Sequence, residues 1–138
     1  MDDTQREWIR SWMLKAHSDL RSAEALAALA TPATDTALYH CQQAAEKALK
    51  GYLAFRNQPL ERTHDLEHLL ELATRLDPAF AGLEAAAEFL NPYATAFRYP
   101  GLLEMPFPAL AEATAAIQQA QTICRFVLEQ LPPEVHPV

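Results

Sequence analysis

The segment Tyr39-His-Cys-Gln-Gln-Ala-Ala-Glu-Lys-Ala-Leu-Lys50 holds the densest set of chemically useful side chains in the chain. On a helix, Gln43, Lys47 and Lys50 are spaced by 4 and 3 and share a face. Gln42 and Glu46 form the adjacent row, and Glu46 to Lys50 is a favourable i,i+4 ion pair. Two amides beside two ammonium groups offer donors, acceptors and positive charge in one patch. Such a patch suits a phosphate, a nucleobase or a partner helix; the plainer reading is a solvated face with one ion pair. Cations also concentrate just downstream, where Lys47, Lys50, Arg56 and Arg62 meet only Glu61.

A second set lies near His64 and His68, four residues apart on a helix. That spacing serves zinc only when further ligands converge, and no second His/Cys cluster is visible. No metal site and no cofactor are expected: His64 caps or packs at a helix start, and His68 lies at or near the surface. A third set is Tyr93-Ala-Thr-Ala-Phe-Arg-Tyr99, where Arg98 stands among Tyr93, Phe97 and Tyr99. A guanidinium beside aromatic faces suits a phosphate or a base. It equally suits a connector whose aromatics cover the end of a core. No Gly-rich phosphate loop, nucleophile elbow or carboxylate cluster accompanies these groups.

The elements that must position these residues are helical. The 138 residues contain 26 Ala and 20 Leu against six Val plus Ile, and only 3 Gly. Ala and Leu lose little side-chain entropy in a helix, whereas strands favour β-branched residues. One all-α domain spanning residues 1–138 is expected, with a core over about residues 8–130 and a proline-rich tail at 132–138. Apolar residues at 3-and-4 spacing predict helix 1 over Thr4–Ala30, with Trp8 and Trp12 plugging one end. Helix 2 is expected over Asp35–Arg56, closed by Asn57-Gln58-Pro59. Helix 3 follows a Thr63 cap with Asp65 in its first turn, and stops at Asp77-Pro78. A shorter helix runs over Gly82–Leu90, and helix 5 begins at Pro108 and ends near Leu131. Short connections between such helices describe an up-and-down bundle of four to five helices.

Net charge of −7 argues against the broad basic surface of a general nucleic-acid binder. Cys41 and Cys124 have no ligand spacing and read as reduced thiols on helix faces. No stretch is apolar enough to span a membrane, and the charged start is no signal peptide; a cytoplasmic protein is expected.

The blocks His-Cys-Gln-Gln-Ala-Ala-Glu-Lys-Ala-Leu-Lys at 40–50, Thr-His-Asp-Leu at 63–66 and Tyr-Ala-Thr-Ala-Phe-Arg-Tyr-Pro-Gly at 93–101 together resemble the HEPN domain, in that family's order and spacing. The resemblance implies a dimeric helical bundle, often paired with a minimal nucleotidyltransferase in a toxin–antitoxin-like arrangement. Some members are metal-independent ribonucleases with an Arg-x(4–6)-His motif near the last helix. After Arg98 the positions where that His falls are Leu103, Glu104 and Met105, and Arg62-x(5)-His68 lies too early in the chain. The expected role is therefore a non-catalytic module that binds a nucleotide or assists a nucleotidyltransferase, using Gln42, Gln43, Glu46, Lys47, Lys50, Tyr93, Arg98 and Tyr99. A ribonuclease toxin is the alternative, drawing on Arg98, Arg62, His64 and His68, with RNA as its ligand. A purely structural interaction bundle is a further alternative. Aromatics near the bundle ends, together with the resemblance, lead to the expectation of a homodimer with a groove lined by helix 2 and the 93–101 connector.

Overall fold

The computed structural model describes residues 1–97 and 107–137. Five α-helices follow in chain order: α1 (Asp3–Ala27), α2 (Thr34–Phe55), α3 (Leu66–Leu76), α4 (Glu84–Leu90) and α5 (Leu110–Gln130). Single-turn 3₁₀ segments at Pro78–Leu83, Asn91–Ala94 and Pro133–Val135 join or end them, and there is no strand among the described residues. This is the all-α bundle that the composition requires.

Burial identifies the organising helix. Fifteen of the 22 residues of α2 are buried, against five of the 25 in α1. α2 is therefore the central rod, and α1, α3 and α5 pack around it. α1 runs antiparallel to it, with Met13 opposite Gly51 and Asp19 opposite Lys47. Small residues are buried on all three helices: Ala16 and Ala23 on α1, Ala37, Ala44, Ala45 and Ala48 on α2, and Ala113, Ala116 and Ala120 on α5. Larger groups, chiefly Leu38, Leu49, Leu66, Leu69, Phe80, Leu90, Ile123 and Val127, fill the centre. No helix is long and apolar enough to cross a membrane among the described residues.

Helix ends follow local chemistry. Asp2 caps α1 by accepting from Gln5 N at 2.7 Å. That helix stops at Ala27 rather than Ala30, because the chain reverses ahead of Pro32 and Ala33 N donates back to Leu26 O at 3.1 Å. α2 ends as expected at Asn57, whose φ of 60° completes a Schellman turn: Gln58 N donates to Leu53 O at 2.9 Å and Asn57 N to Ala54 O at 3.0 Å. The cap of α3 is Asp65 rather than Thr63, since Asp65 Oδ1 accepts from Glu67 N and His68 N. The Gly82–Leu90 helix is shortened because Asp77 and Pro78 start a 3₁₀ turn that takes its first residues. α5 begins at Leu110, two residues beyond Pro108, and Leu110 is exposed rather than part of the core stripe. Trp8 is also largely exposed, forming an edge contact to Trp12 with centroids 5.3 Å apart instead of plugging the core.

Both cysteines are free and buried. Burial, the largest cause, pushes each thiol up to about 12, and Cys41 is raised further by Cys124 and Glu24, Cys124 by Asp19. The protonated thiols contribute stability fully below the ordinary thiol value, and this is lost as pH rises from about 9 toward 12. Native protein at pH 8 should resist iodoacetamide at both positions and take up two equivalents after denaturation; rapid native alkylation would contradict the packing.

Gly51 marks the closest approach of α1 and α2. A Cβ there would sit 2.7 Å from Met13 Sδ and 3.3 Å from Trp12 Cβ. Gly51→Val should therefore cost about 2 kcal/mol or more in denaturant unfolding, as an overpacked core does.

Candidate functional site

Asp35, Tyr39, Gln42, Glu46 and Lys50 follow one another along α2 at spacings of 4, 3, 4 and 4, on one face of the helix. Sequence reading makes Gln42, Glu46 and Lys50 part of a ligand or partner face or, more plainly, of a solvated one; the structure covers the middle of this face. Glu46 is 3% exposed and Lys50 8%. A carboxylate in such a place is costly unless its lone pairs are taken by donors. Glu46 Oε2 accepts from Lys50 Nζ at 3.1 Å, and Oε1 accepts from Gln42 Nε2 at 3.4 Å. His64 Nδ1 lies 2.7 Å from the same Oε1. An ionised carboxylate only accepts, so that nitrogen carries the proton. Gln42 also donates to His64 O at 2.9 Å, while its own Oε1 accepts from Gln43 Nε2 at 2.7 Å. The imidazole of His64 remains outward, with 67% of its side chain exposed.

A second buried acid, Asp19 of α1, bridges two groups on α2. Its Oδ1 lies 2.7 Å from His40 Nδ1, and its Oδ2 accepts from Lys47 Nζ at 2.5 Å. Arg56 is occupied too, donating to Tyr52 OH at 2.7 Å and lying over that ring. The cation excess counted along residues 47–62 is thus largely consumed inside the bundle. Only Arg62 of the four is exposed and without an ionic partner among the described residues. His68 pairs through Nε2 with Glu61. Its partnership and that of His64 are with different carboxylates, and no group of three or more His, Cys, Asp or Glu is arranged for a metal ion among the described residues.

The three sequence blocks meet here. Gln42 and Glu46 hold His64, which precedes the α3 cap; Asn91 then ties that cap to the connector. Its Oδ1 accepts from Leu66 N at 2.8 Å and its Nδ2 donates to Asp65 Oδ1 at 3.1 Å. Phe89 at the end of α4 and, beyond Asn91, Tyr93 and Phe97 of the connector form an aromatic file, the last two nearly parallel with centroids 6.3 Å apart. Burial, and then the carboxylate of Glu112, raises the Tyr93 phenol above its ordinary value. Between this file and the first turns of α2 lies a cavity of about 220 Å³, lined by Asp35, Thr36, Tyr39, Ala96 and Phe97. Phe97 has φ 64°, a left-handed conformation that costs a bulky residue about 1–3 kcal/mol and clusters where ligands are clamped. Arg98 and Tyr99 lie outside the described residues.

Three members of this region escape sequence reading. Asp19 falls between Ala16 and Ala23 on the core stripe of α1, and a charge at a core position is itself a signal of a buried partner. Tyr39 sits one turn before Gln42 and reads as an ordinary helix residue. Asn91 carries no signal that separates it from any residue before a proline.

Removing one member of a buried pair strands the other. Glu46→Ala should destabilise the fold by about 3–5 kcal/mol, because Lys50 is left buried and uncompensated. Adding Lys50→Met should recover part of that loss in denaturant melts; equal losses for single and double variants would show that the ion pair is not the cause.

The chain matches the HEPN domain family over residues 9–131. It is similar in structure to ST0689, an archaeal HEPN homologue, with 29% identity and a TM-score of 0.70 over 88% of this chain and 96% of that one. It is also similar to TT1696 from Thermus thermophilus, with 31% identity and a TM-score of 0.74 over 89% of this chain and 98% of that one. No curated protein matches it. With the family matched across α1 to α5 and the same bundle in a described homologue, this chain belongs to the HEPN domain family.

Proposed function

We propose that this HEPN-type module is non-catalytic and binds a nucleotide or assists a minimal nucleotidyltransferase in a toxin–antitoxin-like pair. The observation that carries the reading is the cavity between the start of α2 and the connector. Asp35, Thr36, Tyr39, Ala96 and Phe97 line it, Tyr93 stacks on Phe97, and the backbone at Phe97 is held in a strained conformation. Aromatic faces take bases by stacking, worth about 1–3 kcal/mol per base. Arg98 follows Phe97 directly in sequence and supplies the cation that a phosphate needs. Lys47 then holds α2 to Asp19 of α1, and Lys50 neutralises Glu46, which bonds His64, so neither is assigned to the ligand. The same reading keeps a homodimer whose groove is lined by α2 and the 93–101 connector.

One observation favours a ribonuclease instead. His64 is held by a buried carboxylate through Nδ1 while its ring faces solvent, an arrangement that suits acid–base work.

Titration calorimetry with ATP and with GTP, alone and with a minimal nucleotidyltransferase present, separates these readings. Binding is expected, with Tyr39→Ala and Arg98→Ala each weakening it about tenfold or more. No heat from folded protein in either arrangement overturns the binding role. RNA cleavage lost in His64→Ala or Arg98→Ala replaces it with the ribonuclease.

A further inference from the structure

A groove of about 360 Å³ lies on the other side of the bundle, between α1 and α5. Its floor is apolar: Met13, Ala16 and Leu20 from α1, and Cys124 and Leu128 from α5. Its rim carries His17 on α1 and Gln121 and Arg125 on α5. Among the described residues no Asp or Glu lines it, although the chain has 18 acidic residues against 11 Lys and Arg. The contrast with the groove between α3 and α4 is sharp, since that one is lined by Glu67, Glu71, Glu84 and Glu88. His17 and Arg125 are exposed and make no hydrogen bond or ion pair among the described residues. The nearest acid along α5, Glu129, is exposed one turn beyond Arg125 and outside the groove. Lys47, Lys50 and Arg56 are all engaged internally, whereas Arg125, like Arg10, Lys15, Arg21 and Arg62, makes no ion pair among the described residues and is free to meet an external anion.

We propose that the α1–α5 groove binds an amphipathic monoanion: a carboxylate head on an unbranched apolar body. The apolar floor takes the body by removing its surface from water. Arg125 takes the head, because a guanidinium matches a carboxylate with two parallel N–H donors. The volume falls in the range of small-molecule sites, which are mostly apolar with a few convergent polar groups. Charge complementarity selects this occupant over a neutral lipid or an acidic-groove ligand. The site is separate from the cavity at Tyr39 and Phe97, so either can fail without the other.

Decanoate and decanol, titrated into the intact chain below their aggregation limits, provide the test. Decanoate should bind one per chain, and decanol at least about tenfold more weakly. Arg125→Gln should weaken decanoate about tenfold or more while leaving decanol unchanged, and Arg75→Gln on α3 should alter neither. With ¹³C-labelled methionine, the ε-methyl signal of Met13 should shift on decanoate binding and that of Met1 should not. Absence of binding by folded protein overturns the proposal. Equal affinity for acid and alcohol, indifference to Arg125→Gln, or a chain whose self-association blocks decanoate does so as well.

Discussion

A carboxylate buried to 3% exposure, Glu46, constrains much of this molecule. In a low-dielectric interior it persists only while donors surround it. Lys50 must therefore stay one turn along α2, Gln42 one turn back, and His64 must be brought in from another segment. The last requirement fixes the loop ahead of α3 against the central helix. Asn91, bonded to both Asp65 and Leu66, then draws in the connector beyond α4. One buried charge thus joins segments separated by 18 and 45 positions. Asp19 does the same between α1 and α2, through His40 and Lys47.

These networks arise because α2 is surrounded. A helix at the surface leaves its polar row to water, and mixed Gln, Glu and Lys cost nothing there. A central helix has no water to offer, so each polar group must find a protein partner with good geometry. The outcome is specificity of register: sliding α2 by one turn would misalign Glu46 with His64 and Lys47 with Asp19 together. Buried alanines on α1 and α2, and Gly51 against Met13, allow the helices near enough for those short side-chain bonds to form.

The division of cations follows from the same economy of partners. Those on α2 serve the interior, and among the described residues the unpaired cations are Arg10, Lys15 and Arg21 on α1, Arg62 and Arg125. Binding chemistry therefore belongs at the margins of the bundle. One margin is the aromatic cavity beside the connector, and another is the apolar groove between α1 and α5.

Fold class was legible in the sequence because helix propensity and 3-and-4 apolar spacing are local properties, and 26 Ala with few β-branched residues leave little room for a sheet. The end of α2 at Asn57 was legible for the same reason, as a left-handed residue closing a Schellman turn is chosen by its own neighbours. The i,i+4 pair of Glu46 and Lys50 was also written into one helix. What the sequence could not decide is which helix lies at the centre, since amphipathic periodicity describes each helix against an unspecified environment. Only the packing of α1, α3 and α5 around α2 turned a seemingly solvated row into a buried network. The starts of α3 and α5 moved for a similar reason, as Asn91 reaches the α3 cap from 25 positions away and Leu110 finds no core to enter. Pairings across the chain, Glu46 with His64 and Asp19 with His40, are set by where separate elements come to rest, and that is a property of the folded whole.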